Sequence, residues 1–316
     1  MRIIFLGTPK FAVPSLEILI QNGFDVVAIV TAPDKPAGRG LQLKSSPVKQ
    51  CALKHNIKVL QPEKLKDAHF LLELRDLKAD LQLVVAFRML PEVVWNMPAL
   101  GTWNLHGSLL PNYRGAAPIN HAIINGEEVT GLTTFKLSHE IDTGPIALKE
   151  KVIIQENDTA GELHDKMMLV GADLVLKTVQ LISIGNIQLM PQEHFDTSDI
   201  NAAPKIFPEF CKLNFHNTCA IVHNKIRGLS PFPGAHTQLV TNSTNTTLKV
   251  YKSEKVKTDL PVDKIGQLQI VNDKHIYVTC EDGHLSLLEL QLAGKKRLTV
   301  KEFLAGFRER DNLKLE

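Results

Sequence analysis

The first two thirds of the chain alternate short apolar runs with segments of helical periodicity. The apolar runs are continuous, and they predict buried strands at residues 2–6, 26–32, 57–61, 81–87 and 102–106. A strand that is apolar on both faces must be covered on both faces, and an intervening helix supplies the cover and the crossover to a parallel neighbour. The pattern therefore predicts an α/β fold with a doubly wound (Rossmann-like), mostly parallel sheet, in which ligands bind at the carboxyl ends of the strands.

The periodicity changes after about residue 128. Residues 129–138 and 145–154 alternate apolar with polar side chains, which predicts two antiparallel strands. A long amphipathic helix is predicted to follow them, with Thr159 as its N-cap and Glu162, three residues later, completing a capping box.

The last third of the chain lacks these long elements. Residues 187–210 contain several prolines and little periodicity, which predicts a linker. Beyond them, short β-rich runs separated by turn residues are typical of a small barrel or sandwich. The predicted domains are an α/β domain at 1–188, a linker at 189–208 and a C-terminal, OB-like β-barrel at 209–316.

Composition narrows the class of protein. The 316 residues are 44% hydrophobic, which is ordinary for a globular protein with a buried core. The apolar runs fall short of the roughly 18 residues of a membrane helix, and the N-terminal segment lacks the apolar core of a secretory signal, so we expect a cytoplasmic protein. The cysteines form no C-x-x-C motif and no metal-ligand spacing with histidine, which predicts reduced thiols and no metal site at Cys51, Cys211, Cys219 and Cys280.

Charge is distributed unevenly along the chain. Residues 205–316 carry 17 basic and 12 acidic side chains, whereas residues 1–204 carry 19 and 22. A basic C-terminal third suits a polyanionic partner, but an ordinary solvated surface gives the same surplus. Charge alone therefore leaves the kind of partner open.

The turn after the first predicted strand is where a phosphate-binding loop would lie in this fold class. It contains only one glycine, Gly7, and Pro9 has no backbone N–H to donate. Neither the dinucleotide-binding nor the P-loop pattern is present, so a nucleotide cofactor is disfavoured.

Two polar side chains stand at the end of the fifth predicted strand. Asn104 and His106 are two positions apart, so they project from the same face. Asp142, between the two antiparallel strands, is either a turn residue or the third member of this group. Acyl transfer to an amine needs a donor to the developing oxyanion and a group to move the amine's proton, and these three side chains offer both. Ser108 lacks the G-x-S-x-G setting of an activated nucleophile.

Several spaced motifs resemble those of the folate-dependent formyltransferases, over nearly the whole chain and in the same order. They are F-L-G-T-P-K-F-A-V-P at 5–14, D-K-P-A-G-R-G at 34–40, S-P-V-K at 46–49, N-L-H-G-S-L-L-P-N-Y-R-G-A-A-P-I-N at 104–120, D-T-G at 142–144 and I-R-G-L-S-P-F-P-G-A at 226–235. The resemblance implies transfer of the formyl group of 10-formyltetrahydrofolate without a metal. It also implies a catalytic centre of Asn104, His106 and Asp142.

The resemblance further implies which loops line the tetrahydrofolate site. They are the segment after the fifth strand and the loop after the fourth, comprising Ser108, Leu109, Leu110, Pro111, Phe87, Arg88, Met89 and Leu90. The sequence departs from the family at Arg88, where many relatives have a small residue. Arg88 either points outward, which we favour, or approaches the glutamate tail of the folate.

The formyl acceptor implied by the resemblance is the α-amino group of methionine on initiator tRNA, which would place the protein in translation initiation. In the family, the basic insertion matching residues 34–49 reaches the acceptor end of the tRNA. The tRNA-binding residues implied, with Lys205 near the linker and further phosphate contacts from the C-terminal domain, are Lys35, Arg39, Lys44, Lys49 and Lys205. We expect a monomer.

Other functions are compatible with parts of the sequence. The same Asn/His/Asp core serves relatives that formylate a UDP-amino-sugar or hydrolyse 10-formyltetrahydrofolate. A noncatalytic RNA-binding module would also explain the basic C-terminal third. The basic P-A-G-R-G loop at 36–40 favours tRNA over the sugar, and the complete set of three polar groups favours an enzyme over a binding module.

Replacing Arg39 with alanine tests the role of the basic loop. An arginine can bind a phosphate or a base edge with two parallel hydrogen bonds, and alanine removes both. We expect KM for charged initiator tRNA to rise while turnover of a small amine changes little, as measured by steady-state formyl transfer. An unaltered KM for tRNA would refute this role.

Overall fold

The computed structural model of the chain describes residues 1–37, 42–195, 200–308 and 312–316. The strands are β1 (Arg2–Gly7), β2 (Asp25–Val30), β3 (Lys35–Ala37), β4 (Gln42–Lys44), β5 (Lys58–Leu60), β6 (Leu81–Val85), β7 (Thr102–His106), β8 (Arg114–Gly115), β9 (Val129–Lys136), β10 (Ile146–Ile153), β11 (Ala202–Ala203), β12 (Ala235–Val240), β13 (Asn245–Val256), β14 (Leu268–Val271), β15 (His275–Cys280), β16 (Gly283–Leu292), β17 (Leu298–Thr299) and β18 (Lys314–Leu315). The helices are α1 (Val13–Gln21), α2 (Pro47–Lys54), α3 (Ala68–Asp76), α4 (Glu92–Trp95), α5 (Pro118–Ile124), α6 (Ala160–Ser183), α7 (Cys219–Gly228) and α8 (Val300–Gly306).

The chain divides into two compact units that interleave along the sequence. The first comprises residues 1–115, 131–152 and 164–202, and the second comprises 116–130, 153–163 and 203–316. The linear division at 188 and 209 remains a prediction.

A seven-stranded sheet forms the first unit, in the order β10-β9-β7-β6-β1-β2-β5. The five strands β5, β2, β1, β6 and β7 are parallel, as the apolar runs predict. Strands β2 and β5 lie on one side of β1, and strands β6 and β7 lie on the other. The winding direction therefore switches beside β1, and the ligand crevice of such a sheet lies at this switch. The doubly wound α/β prediction is confirmed.

The central strand shows why these runs form a sheet. The side chains of residues 3–6 are at most 1% exposed, and each large apolar side chain buried in this way contributes about 1.5–3 kcal/mol. The run predicted at 81–87 stops earlier than its hydrophobicity suggests. β6 ends at Val85 because Ala86 has a φ of +49°, a left-handed conformation that a strand cannot contain.

The long helix α6 begins as predicted. The Thr159 hydroxyl accepts a hydrogen bond from the Glu162 backbone N–H at 3.2 Å, and a Glu162 carboxylate oxygen accepts one from the Thr159 backbone N–H at 2.9 Å. These reciprocal bonds confirm the capping box. The Thr159 N–H and the Thr159 hydroxyl, which also donates to the Glu162 carboxylate at 2.7 Å, lower the pKa of the Glu162 carboxyl.

Curled antiparallel strands form most of the second unit, in the order β14-β15-β16-β13-β12-β18. The two ends of this half-barrel meet, because the Leu268 N–H donates to the Leu313 carbonyl at 2.9 Å and the Leu315 N–H donates to the Gly266 carbonyl at 2.7 Å. Its interior is filled by buried Leu, Val, Ile and Phe side chains. The prediction of a small C-terminal barrel is confirmed at the level of a curled antiparallel sheet.

The segment predicted as a linker contains ordered structure. Its described residues include short 3₁₀ turns at Gln192–His194 and Pro208–Cys211 and the strand β11. Gln192 is only 3% exposed, so this segment is more than a tether. Separately, no helix among the described residues is both long and apolar enough to span a membrane.

A buried histidine of the second unit makes stability depend on pH. His223 is 2% exposed, its Nδ1 lies 3.0 Å from the Ser253 hydroxyl, and burial together with nearby Arg227 and Lys255 holds its pKa below the ordinary 6.5. A group with a lowered folded-state pKa stabilises the fold above the unfolded pKa, and this stability is lost as pH falls through the folded pKa.

We therefore expect the free energy of unfolding in urea to decrease between pH 7 and pH 5, and to decrease less in His223→Gln, which keeps a hydrogen-bonding side chain without the titration. Carboxylates lose their stabilising contacts over part of the same range in both proteins, so only the difference between the two slopes reports on His223. Equal slopes would contradict the prediction.

Candidate active site

Strand β7 carries two of the polar residues of the site, Asn104 and His106. Asn104 pairs with Val84 of the parallel strand β6 and with Phe135 of the antiparallel strand β9. Asn104 and His106 share one face of the sheet, while alternate residues of the strand occupy the other. The Asn104 carboxamide is partly exposed and makes no hydrogen bond to any residue that the structure describes, so its N–H₂ group is available to a ligand.

The orientation of the His106 ring follows from its contacts. The ring is buried, with the residue 6% exposed, and Nε2 lies 2.9 Å from the Tyr113 carbonyl oxygen. A carbonyl oxygen can only accept, so Nε2 carries the hydrogen. Nδ1 then faces a carboxylate oxygen of Asp142 at 3.7 Å. Any proton that His106 gains must therefore be held at Nδ1, beside the carboxylate.

Asp142 reaches this position by an indirect route. Strand β9 runs antiparallel to β7, and its last residue, Lys136, lies opposite Trp103. The loop that follows β9 therefore starts near the amino end of β7 and has to return along about three residues of strand, ~10 Å, to approach His106. Asp142 itself has a φ of +57°, a left-handed conformation that aspartate tolerates better than most residues.

Two groups hold the loop in this place. The Gly115 backbone N–H donates to an Asp142 carboxylate oxygen at 3.0 Å. The Gln192 amide nitrogen donates to the carbonyl oxygens of Asp142 and Gly144, both at 2.8 Å. Arg114 in turn donates from Nε and Nη2 to the Gln192 side-chain oxygen, at 3.0 and 2.6 Å.

Sequence reasoning missed Gln192. It lies in the aperiodic segment predicted as a linker, and a single glutamine after a proline carries no signal of its own. Arg114 belongs to the motif at 104–120, which gives it no role of its own. A search for polar residues within that motif would have singled out Arg114, because a guanidinium among apolar neighbours needs acceptors.

The Ser108–Pro111 segment follows β7 and is braced against β9. The Ser108 hydroxyl donates to the Asn112 carbonyl at 2.6 Å, which occupies it within the fold. The Thr133 hydroxyl accepts from the Leu110 N–H at 3.0 Å and donates to the Ser108 carbonyl at 2.6 Å. Ser108 and Leu110 are fully buried, whereas Leu109 is partly exposed.

The Phe87–Leu90 loop follows β6, the parallel neighbour of β7, so both loops lie at the same edge of the sheet. Met89 is 76% exposed, whereas Leu90 is buried in the hydrophobic cluster beneath the sheet. The exposed Arg88 donates to the Glu63 carbonyl at 2.8 Å and to the Pro62 carbonyl. Its guanidinium is thus held against the segment that follows β5.

The basic residues expected to contact tRNA have different surroundings. Lys35 and Lys44 are exposed and directly opposite each other in the ribbon of β3 and β4. Arg39 lies outside the described residues. The Lys49 ammonium donates to one Asp34 carboxylate oxygen at 2.6 Å and to the Gln61 side-chain oxygen at 2.7 Å, and Gln61 Nε2 donates to the other Asp34 oxygen at 2.9 Å. The bonds that Asp34 accepts from Lys49 and Gln61 lower the pKa of its carboxyl.

Lys205 lies in the second unit beside an aromatic ring. Its ammonium is 5.3 Å from the centre of the Phe207 ring, and both side chains are exposed. A second pair lies nearby in the sequence, with the Lys225 ammonium 5.0 Å from the centre of the Phe210 ring. Each pair presents an apolar ring and a cation together.

Contrary to the sequence prediction, one cysteine, Cys51, does have metal-ligand spacing with a histidine. Cys51 and His55 are one helical turn apart at α2, and with Glu17 of α1 their ligand atoms lie within 4.8 Å of one another. Burial raises the pKa of the Cys51 thiol to about 11, and its sulfur lies 3.9 Å from a Glu17 carboxylate oxygen as a donor. The protonated thiol therefore already has a partner. All four cysteines are free and buried.

Comparison with known proteins identifies the class. Residues 1–179 match the profile of the formyl transferase family, and residues 205–308 match that of the formyl transferase C-terminal domain. The chain belongs to the formyl transferase family.

Full-length relatives are more specific. The methionyl-tRNA formyltransferase of Bacteroides thetaiotaomicron is 50% identical over 319 residues, covering 100% of this chain and 98% of its own. That of Flavobacterium johnsoniae is 48% identical, covering 100% and 99%. Among solved structures, the N-formyltransferase of Helicobacter canadensis, in complex with folinic acid and dTDP-3-aminofucose, has a TM-score of 0.67 at 22% identity, covering 93% of this chain and 99% of that one. This last similarity supports the fold.

The loop that carries Asp142 has little room for added atoms. A Cβ at Gly144 would overlap the Lys136 carbonyl oxygen, whereas a Cβ at Gly306, the last residue of α8, would meet nothing within 4 Å. We expect Gly144→Ala to cost about 1–3 kcal/mol of unfolding free energy in urea, since backbone must shift, and to displace Asp142 and lower formyl transfer. Gly306→Ala should leave both quantities nearly unchanged. Wild-type activity in Gly144→Ala would show that the loop tolerates movement.

Proposed function

We propose that this chain transfers the formyl group of 10-formyltetrahydrofolate to the α-amino group of methionine on initiator tRNA, for translation initiation. The observation that carries the proposal is the arrangement at the end of β7. There, an unengaged Asn104 carboxamide lies on the same face as a buried His106 whose Nδ1 faces Asp142 at 3.7 Å. The full-length relatives named methionyl-tRNA formyltransferase support the same reaction.

Asn104 is proposed to stabilise the charge that develops during the reaction. The formyl donor is a co-substrate that brings the carbon to be attacked. As the amine nitrogen bonds to that carbon, negative charge develops on the formyl oxygen, and a fixed donor near this oxygen lowers the barrier. The bond from the formyl carbon to N10 then breaks, N10 takes up a proton, and the amine loses one. Protons on the enzyme are therefore unchanged over the cycle.

His106 and Asp142 are proposed to manage the proton as a pair. With Nε2–H committed to the Tyr113 carbonyl, a neutral His106 presents a lone pair at Nδ1 to a carboxylate, so two acceptors face each other. A proton on Nδ1 lies between these two acceptors. Because a proton on Nδ1 is directed at Asp142, we propose that His106 stabilises the oxyanion through the positive charge of its protonated ring, and that Asp142 accepts the amine's proton directly or through a water.

The formyl donor is proposed to lie along the loops after β6 and β7. Phe87, Met89 and Leu109 are exposed or partly exposed there and offer apolar contact. The buried Ser108, Leu110 and Leu90 are proposed to act through their backbone and through the shape of the loops, and Pro111 in the same way. Because Arg88 is held by the carbonyls of residues 62 and 63, we propose that it points away from the folate.

The tRNA is proposed to bind basic residues of both units. In the β3–β4 ribbon, Lys35 and Lys44 are opposed and unneutralised in the described structure, while Lys49 is already paired with Asp34 and shapes the base of the ribbon. Lys205 with Phe207 offers a ring for stacking and a cation for phosphate. Binding through such contacts weakens steeply as salt rises.

We propose the site of action from the substrates and the state of assembly from the proposed catalytic set. We propose that the protein works in the cytoplasm, where initiator tRNA is charged and used, and that it works as a monomer. The support for a monomer is that the proposed catalytic set comes from one unit of a single chain.

The proposed roles are tested by single substitutions at the end of β7. We expect Asn104→Ala and His106→Ala to fold normally and to lose about 10²-fold or more in kcat, because each removes a group that acts as charge develops. The measurement is formyl transfer from 10-formyltetrahydrofolate to charged initiator tRNA. Matched controls are Asn186→Ala and His69→Ala, both at exposed positions of the same unit.

The acceptor is tested in the same assay. Charged initiator tRNA, free methionine and an amino-sugar nucleotide are offered separately to the wild-type protein. Transfer to the tRNA with little transfer to the other two is expected. Preferred transfer to the sugar, or release of formate alone, would replace the proposed function with one of the related activities.

A further inference from the structure

Three consecutive residues hold three different parts of the proposed site. The Tyr113 carbonyl accepts from His106 Nε2, the Arg114 guanidinium donates to the Gln192 side chain, and the Gly115 N–H donates to the Asp142 carboxylate. Adjacent residues of a chain cannot move independently over short distances. The positions of the His106 ring, the Gln192 side chain and the Asp142 carboxylate therefore all depend on one short piece of backbone, residues 113–115.

The orientation of the Gln192 amide is determined by Arg114. A guanidinium has only donors, so the group that faces it must be the side-chain oxygen. The amide nitrogen is then directed at the two loop carbonyls, of Asp142 and Gly144, each at 2.8 Å. With Gln192 3% exposed, water has little access to compete for these bonds.

The two hydrogen bonds from Gln192 hold the loop at its left-handed turn, at the carbonyls of Asp142 and Gly144. Asp142 has a left-handed φ of +57°, and its loop has returned along the sheet from the amino end of β7. Bonds to the carbonyls on either side of Thr143 fix the peptide planes around this turn. The Gly115 N–H holds only the carboxylate, and the hydrogen bonds of the Thr143 hydroxyl, with the Ser138 hydroxyl and to the Glu140 carbonyl, stay within the loop.

We propose that Gln192 is a positioning residue, oriented by Arg114, which sets the distance between the Asp142 carboxylate and His106 Nδ1. The proposal rests on the proposed function, because it assigns Gln192 a part in the proton handling of that site. Gln192 donates to carbonyls of the loop and makes no hydrogen bond to His106 in the described structure, so its effect on the reaction passes through Asp142.

The decisive substitution is Gln192→Glu. The carboxylate has nearly the same shape and still accepts from Arg114, but it has no hydrogen to donate to the two carbonyls. We expect kcat for formyl transfer to tRNA to fall about 10- to 100-fold, since small displacements of a catalytic group are costly. KM for the folate and for tRNA should stay within about threefold, because neither substrate loses a contact. Gln188→Glu, the same change at a nearby exposed position, should behave as wild type.

A second variant separates positioning from simple stability. Gln192→Leu fills similar volume without donors or charge, and it should reproduce the fall in kcat even if Gln192→Glu destabilises the fold. Arg114→Lys keeps the charge but loses the paired donation to the glutamine oxygen. If Arg114 acts through Gln192, the double variant Arg114→Lys with Gln192→Leu should have a kcat no lower than that of the less active of the two single variants.

The outcomes distinguish this proposal from the proposed function. Absence of formyl transfer to tRNA by the wild-type protein would overturn the proposed function, and the positioning role with it. An active wild type together with Gln192→Leu of unchanged kcat, or with a raised KM and unchanged kcat, would overturn the positioning role alone. If the fold-losses in kcat of Arg114→Lys and Gln192→Leu multiply in the double variant, the proposal that Arg114 orients Gln192 is overturned.

Discussion

One reversal of strand direction determines the geometry of the site. Strands β5, β2, β1, β6 and β7 run the same way, and β9 then runs against β7. Parallel strands bring their loops to the ligand edge automatically, as happens after β6 and β7. The loop after β9 starts at the opposite edge of the sheet. It must return along the sheet to bring the Asp142 carboxylate to the proposed site. Every bond to this loop is therefore part of how the site is built.

The regular part of the molecule could be predicted from the sequence. The parallel strands, the capping box at Thr159 and the pair Asn104 and His106 follow from periodicity, because each depends on residues close together in the chain. The end of β6 at Val85 could not be predicted, since Ala86 adopts a left-handed conformation that no alanine signals.

Long-range contacts account for the other differences. Gln192 lies 50 residues from Asp142, and nothing local marks it as a partner. Cys51 and His55 were overlooked because their spacing becomes meaningful only once a helix places them one turn apart beside Glu17. Lys49 belongs by sequence to the basic loop at 34–49, but Asp34 pairs with its ammonium. In each case the decisive partner is a side chain whose contact forms only in the folded structure, so neither composition nor local sequence indicates it.

The opposed lysines of the β3–β4 ribbon have a consequence for the free protein. Like charges held directly across a ribbon repel each other, so Lys35 and Lys44 raise the energy of this element when nothing is bound. A polyanion between them would remove that repulsion as well as adding attraction. Salt then acts in two opposing senses, because the ions that screen the polyanion also relieve the strain between the lysines. The ribbon is most responsive to a partner in dilute salt, where its own conformation is least favourable.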